Sequence, residues 1–400
     1  MSQSRTTSLV FFYLNSFLTL LVGNMYVYAM IIFSRALSSS DGFTGLVYVC
    51  NYVPALLISF YAGTVLDRFP RKRILFIFQT SFIITSGILA FAVGYPGFES
   101  VSRWLLPLLM LVNGAALAFI IPGRMALVGN LVEPKNIPRA TMFLHVMIII
   151  GFGLAPAVVG VVKQHYDWQT LFIVIGCLYF VAYLFLFPVK PQLDVKGPVQ
   201  NALESFREGI RFIKSQRLIM ELLLFTFVGL AIVGPIQVLV PQFAKTVLEL
   251  NEQQRGFYVT TLGVGLLLGG MVAQFLGHKF PRGPLMAVCS LISGVAMAIL
   301  AQIDHLVPSV LLLGAAGVFG GTMSTLIPAA IQSQTPDESR GRVMSIYTLI
   351  FQMTPAVTGF ALSQLADVIG IPHTLVVCGA MIATFSLAGI LFLPELRRYR

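Results

Sequence analysis

The sequence predicts an all-α integral membrane protein with twelve transmembrane helices, and three observations carry that prediction. Of 400 residues, 57% are hydrophobic and 10% charged, whereas a soluble domain carries roughly 25% charged residues. Apolar runs of about 20 residues, enough to cross a bilayer, recur from one end of the chain to the other, and mean hydropathy is +0.86. The cations are also sorted by side. Of 26 Lys and Arg, five (Arg35, Arg103, Lys163, Lys245 and Arg255) fall in odd-numbered connections and the other 21 in the termini and even-numbered ones. This positive-inside asymmetry predicts that both termini face the cytoplasm. Twelve spans of ~22 residues use ~264 positions, which leaves no room for a soluble catalytic domain.

In order, the spans are expected near 9–34, 43–66, 74–94, 104–130, 138–162 and 169–188, then 218–246, 255–277, 284–301, 307–333, 342–366 and 372–393. The first run is long and has no small-residue cleavage site, so it reads as a span rather than a signal peptide. The expected division is 1–190 as one six-helix bundle, 191–216 as a cytoplasmic linker and 217–400 as a second bundle. Pro191 and Gly197-Pro198 break the chain in the linker. From Asn201 to Lys214, Phe206, Ile210 and Ile213 recur at helical spacing among charged residues. That segment reads as a short helix on the membrane surface or as a plain tether. The net charge of +10 does not indicate nucleic-acid binding, because the cations sit in short loops rather than along one stripe. Cys50, Cys177, Cys289 and Cys378 lie in four different apolar runs, so neither a disulfide framework nor a metal site is indicated.

The second and third spans are joined by Gly63-Thr64-Val65-Leu66-Asp67-Arg68-Phe69-Pro70-Arg71-Lys72-Arg73. Its pattern, G-x-x-x-D-R-x-x-R-K, resembles the signature loop of the major facilitator superfamily, with Gly63, Asp67, Arg68, Arg71 and Lys72 filling the defining positions. The resemblance implies two pseudo-symmetric six-helix bundles and transport by alternating access. It also implies that Asp67 belongs to a latch, since helix-terminal N–H groups and arginines stabilise a carboxylate. A shift of 211 residues lays Phe69-Pro70-Arg71 on Phe280-Pro281-Arg282, with His278 and Lys279 replacing Asp67 and Arg68. Parallel halves of this kind are what the class uses. In the fifth span, Gly151, Pro156 and Gly160 match the antiporter motif G-x-x-x-G-P-x-x-G-G, while Ala155 and Val159 replace two of its glycines. Such a segment suits a packing pivot or close small-residue packing. The stretch Gln332 to Val343, with Arg340, Gly341 and Arg342, resembles the turn between the tenth and eleventh helices of bacterial exporters, including enterobactin-type siderophore exporters and drug–proton antiporters.

Polar residues inside spans are candidates for the cavity that the fold implies: Asn15, Thr19, Tyr26, Asn51, Asn113, Gln237, Tyr258 and Gln352. Asn15, Thr19 and Tyr26 share one helical face. Each of the eight could equally make interhelical hydrogen bonds. Gln79, Thr80 and Ser81 are an exception, polar in a third span that should face lipid. None of the 16 acids falls in the middle third of a span, where a coupling carboxylate is normally sought. That leaves His145 as the candidate titratable group, with Glu221 at the cytoplasmic edge. Arg124, near the inner end of the fourth span, is read as snorkelling to the headgroups, with an anionic substrate as the alternative.

The expected protein is a secondary transporter of the bacterial inner membrane, working as a monomer. It exports an amphipathic drug- or siderophore-like molecule, with a proton as the coupling ion. No other cofactor, no metal and no nucleic-acid partner is expected; the lipid bilayer and a small-molecule substrate are the partners. The alternatives are a lysophospholipid or lipid carrier, an importer, and a transport-inactive receptor or scaffold. An enzyme is not expected, because the spans contain no H-E-x-x-H, no G-x-S-x-G and no carboxylate pair.

Overall fold

The structure, a computed structural model, describes residues 3–190 and 202–399. Pro191 to Asn201 of the linker lie outside the described residues, as does the side chain of Asp67. The helices are α1 (Gln3–Ser38), α2 (Asp41–Cys50), α3 (Val53–Arg68), α4 (Arg71–Val93), α5 (Phe98–Gly129), α6 (Ile137–His165), α7 (Trp168–Phe185) and α8 (Ala202–Ser215). They continue with α9 (Arg217–Leu230), α10 (Val233–Thr246), α11 (Glu252–Lys279), α12 (Arg282–Leu300), α13 (Leu306–Gln334), α14 (Asp337–Ile369), α15 (Ile371–Phe392) and α16 (Pro394–Arg398). Twelve segments of the described chain are long and apolar enough to cross a membrane.

Two of those segments are broken, which hydropathy alone did not reveal. The second span stops at Asn51-Tyr52 between α2 and α3, and the seventh at Ala231-Ile232 between α9 and α10. Each break has a proline behind it. Pro54 cannot donate to the carbonyl of Cys50, and Pro235 cannot donate to that of Ala231. Elsewhere local signals start the helices. Asp167 caps α7 by accepting the Thr170 N–H at 2.9 Å, and hydrogen bonding from the Thr170 side chain together with that N–H holds its carboxyl below the usual carboxylate range. Asn251 and Gln254 form a reciprocal capping box on α11.

Contacts divide the chain into two compact units. One contains Met1–Ser39 and Cys50–Ala202; the other contains Ser40–Val49 and Leu203–Arg400. The division differs from the expected one in two respects: residues 40–49 group with the carboxy-terminal unit, and so does the linker from Leu203 onward. For residues 40–49 the reason lies at the start of α2. The Asp367 carboxylate of α14 accepts the Ser40 hydroxyl at 2.7 Å and the N–H groups of Asp41 and Gly42 at 2.7 and 3.0 Å. It therefore supplies acceptors to N–H groups at the start of α2.

In the amino-terminal unit α1 packs on α6 and α7, and α4 on α5 and α7. Phe33 of α1 anchors one end against Phe98, Trp168 and Phe172, at 5.9, 4.7 and 5.4 Å between ring centroids. In the carboxy-terminal unit α11 packs on α13, and α12 on α13 and α15. The α12–α15 pair meets backbone to backbone: a Cβ on Gly294 would lie 2.8 Å from the Gly379 carbonyl. Where no hydrophobic effect drives helices together in lipid, such close dispersion contact is the main source of association.

The linker helix α8 is amphipathic, and its apolar edge joins the core through Ile213, beside Ile219, Val343 and Tyr347. Glu208 pairs with Arg342 at 2.8 Å. Ala202–Ser215 is helical throughout.

Candidate functional site

The signature loop is a tight turn: Phe69 is extended (φ −115°, ψ 152°), Pro70 follows at φ −56°, and α4 begins at Arg71. A residue before proline is forced into this region. The second copy repeats the path, with Phe280 at φ −120°, ψ 153° and Pro281 at φ −57°. Three matched residues in the sequence thus correspond to one repeated backbone turn.

The loop cations serve as helix caps. The Arg71 guanidinium donates to the Ala126 carbonyl at 2.9 Å and to Asn130 Oδ1 at 2.8 Å, closing the end of α5. Lys72 Nζ donates to the carbonyls of Phe187 and Val189 at 2.8 and 2.7 Å, just beyond α7. A cation at a helix carboxyl end satisfies orphan carbonyls and opposes the macrodipole. Arg68 is exposed.

At the position equivalent to Lys72 the second half has Gly283. Its N–H donates to the Tyr399 carbonyl at 3.1 Å, and there is no space for a Cβ against the Leu396 carbonyl. Both halves therefore tie the start of their third span to the chain just beyond their sixth. One uses a lysine side chain and the other uses backbone.

Glu221 completes that second tie. The carboxylate is buried, and it accepts the Leu396 N–H at 2.8 Å and Arg217 Nε at 3.2 Å. It anchors α16, so its oxygens are already engaged in holding the carboxy-terminal segment. In the turn Arg340-Gly341-Arg342, Arg340 donates to the carbonyls of Gln332 and Thr335 at 3.3 and 3.4 Å, at the end of α13. Gly341 faces open space.

The pivot segment lies in α6. A Cβ on Gly151 would be 3.0 Å from the Leu21 nitrogen of α1, and Pro156 and Gly160 are buried inside the same helix. At Gly151 the two helices are in backbone contact.

The candidate cavity residues separate into groups. Asn15 and Thr19 turn into the interior of the amino-terminal unit. Asn15 Nδ2 donates to the Ala182 carbonyl at 2.6 Å, and Gln79 Nε2 donates to Asn15 Oδ1 and Thr19 Oγ1, both at 3.2 Å. Gln79, the apparent exception in the third span, is the hub of that network. Tyr26 is buried on the same stripe beside Thr85. Asn113 Nδ2 donates to Asn51 Oδ1 at 2.7 Å, across the break in the second span. Tyr258 and Ser309 hydroxyls meet at 2.6 Å. Gln237 and Gln352 remain half-buried without a hydrogen bond among the described residues, and His145 lies exposed on α6.

Arg124 corrects the snorkelling expectation. Its side chain is 2% exposed and donates to the Ser16 carbonyl at 2.9 Å and to Asn15 Oδ1 at 3.3 Å. The network on α1 captures the guanidinium before it can reach a headgroup. The sequence signal for this was present: Ser16 and Thr19 of α1 lie on the stripe that carries Asn15 and Tyr26, and Gln79 was the one buried-type amide in the third span.

Comparison with known proteins agrees with this architecture. The profile of the family described as transmembrane secretion effector matches residues 22–398. A staphyloferrin A transporter of Staphylococcus aureus is 22% identical over 339 residues, covering 84% of each chain. The enterobactin exporter EntS of Shigella flexneri is 23% identical over 355 residues, covering 86% of this chain and 82% of its own. Among solved structures, a D-xylose–proton symporter superimposes with a TM-score of 0.79 at 14% identity, over 96% of this chain and 98% of its own. A bacterial homologue of the lysosomal transporter Spinster does so with a TM-score of 0.78 at 14% identity, over 100% and 98%. The fold is that of these transporters, and the chain is a multi-pass bacterial membrane protein. It belongs to the transmembrane secretion effector family of the major facilitator superfamily.

Proposed function

We propose that this protein exports an amphipathic small organic molecule of siderophore type across the bacterial inner membrane, with both termini in the cytoplasm and proton entry as the driving force. The observation that carries this reading is the family match over residues 22–398 combined with two siderophore-transporter relatives aligned along 84% and 86% of the chain. The repeated turn at Phe69-Pro70 and Phe280-Pro281 supports alternating access, because two equivalent halves give two equivalent end states. Asp67 acts in the cytoplasmic latch, and a bias of a few kcal/mol between states is enough to set their populations.

His145 is the coupling group in this reading. Glu221 is committed to α16, whereas His145 is an exposed imidazole within a span. Inside-out vesicles loaded with acid test the proposal. An exporter of this kind takes a siderophore into the lumen when the lumen is acid, and releases protons in exchange. H145Q is expected to lose gradient-driven uptake while retaining substrate exchange. D67N is expected to reduce both while inserting normally. Uptake unaffected by collapse of the pH gradient would remove proton coupling, and movement only in right-side-out vesicles would reverse the direction.

A further inference from the structure

At one edge of the amino-terminal unit, the first turn of α4 meets the chain just past α7. Arg71–Val93 and Trp168–Phe185 are both long and apolar enough to cross a membrane, so this junction marks one boundary of the apolar layer. Lys72 Nζ donates there to the Phe187 and Val189 carbonyls at 2.8 and 2.7 Å, which engages two of its three N–H groups. The Val189 carbonyl belongs to the peptide that leads into Lys190, and the two lysines stand within Coulomb range. Lys190 and Arg73 are exposed, and no ion pair engages either among the described residues. Helices α1, α4 and α7 contain no Asp or Glu. Residues 67–73 and 190–196 together carry six cations and two acids, Asp67 and Asp194. Positive charge is therefore in excess whichever cations those two carboxylates meet. Like charges held this close favour an anion that both can face.

The surface beside these cations is aromatic. The rings of Phe76, Tyr183 and Phe187 form a triangle, with centroids 4.9, 4.9 and 5.5 Å apart. Lys72 Nζ stands 5.6 Å from the Phe76 centroid. Phe187, Leu184 and Ile77 are exposed on the same two segments. Aromatic rings and cations gather where a bilayer changes from acyl chains to headgroups, and cations at that level attract anionic lipids. A free phosphate would meet the ammoniums and leave the apolar face uncovered, whereas a lipid covers both.

We propose that this junction binds an anionic phospholipid of the leaflet that the signature loop faces. Its phosphate lies against Lys72 and Lys190 with Arg73 beside them, and its acyl chains lie over Phe76, Tyr183 and Phe187. The ligand is a diacyl phosphodiester of net negative charge, such as phosphatidylglycerol. It reinforces the tie between the start of the third span and the chain beyond the sixth, which the second half makes through backbone at Gly283. Neither the exported substrate nor the direction of transport enters this inference.

Thermal unfolding of the delipidated full chain in detergent tests it, with phosphatidylglycerol, phosphatidylcholine or soluble glycerol phosphate added. The expected result is a saturable rise in Tm of roughly 2–4 °C with phosphatidylglycerol alone. K190Q keeps the parent Tm without lipid and loses most of that rise; R73Q/K190Q loses all of it. Native mass spectrometry should count one retained phosphatidylglycerol fewer in the double variant. An equal rise with phosphatidylcholine overturns the proposal, because net charge would then be irrelevant. An equal rise with glycerol phosphate overturns it in favour of a free anion. An undiminished rise and an unchanged lipid count in R73Q/K190Q remove the site.

Discussion

Lys72 illustrates how a single residue can satisfy two demands. As one cation in a basic loop it helps orient the chain, and its ammonium also closes the carbonyls of Phe187 and Val189. Replacing it with Met should lower stability by about 1 kcal/mol, the lower end for a charged hydrogen bond because the group is partly solvated. Thermal unfolding in detergent measures this, and an Arg in its place should recover most of the loss. A stability unchanged by K72M would show that water replaces the lysine without cost. Asp167 gives a pH-dependent case outside the spans. Its carboxyl is lowered by hydrogen bonding from the Thr170 side chain and N–H, so its contribution is present above the ordinary carboxylate pKa and is lost as pH falls through the lowered one. Asp167→Ala should therefore be less stable than the parent at neutral pH and equal to it in strong acid. A difference that persists in acid would mean that the cap acts through something other than its charge.

At the scale of elements, α16 is the clearest case of a short helix held from outside itself. Five residues cannot sustain a helix alone, and Pro394–Arg398 keeps its form because Glu221 accepts its Leu396 N–H and Gly283 lets its backbone approach. Glu221→Ala should cost roughly 2–4 kcal/mol, since it strips a buried N–H and an arginine of their acceptor. Gly283→Leu should release α16 by steric exclusion, read as faster hydrogen exchange at residues 394–399 with the rest of the bundle unchanged. Uniform protection across both variants would contradict the tie. Most of this architecture was legible beforehand: span number and the basic turns follow from hydropathy and charge, which act locally along the chain. The breaks at Asn51-Tyr52 and Ala231-Ile232 were less so, because Pro54 and Pro235 interrupt helices without altering apolar content. The assignment of residues 40–49 to the carboxy-terminal unit was not legible at all. It depends on Asp367, more than 300 residues away in sequence.

For the whole molecule, the same distinction separates family from mechanism. The signature loop and its decayed copy identify a duplicated transporter, and the repeated turn geometry agrees with that origin. The polar candidates read equally as cavity lining or as interhelical hydrogen-bonding groups, because a one-dimensional pattern cannot tell a cavity wall from a bundle interior. Asn15, Thr19 and Arg124 went inward because Gln79 and the carbonyls of Ser16 and Ala182 were there to meet them. Gln237 and Gln352 are half-buried and His145 is exposed, and these are the residues that the proposed transport cycle would use. The account rests on outward, proton-driven movement of a siderophore-type molecule. Its most direct test is uptake of a labelled siderophore into inside-out proteoliposomes with an imposed pH gradient. It predicts accumulation that requires an acid lumen, collapses with a protonophore and is lost in H145Q. Equal filling with and without the gradient, or no movement of any siderophore by protein that binds one, would contradict it.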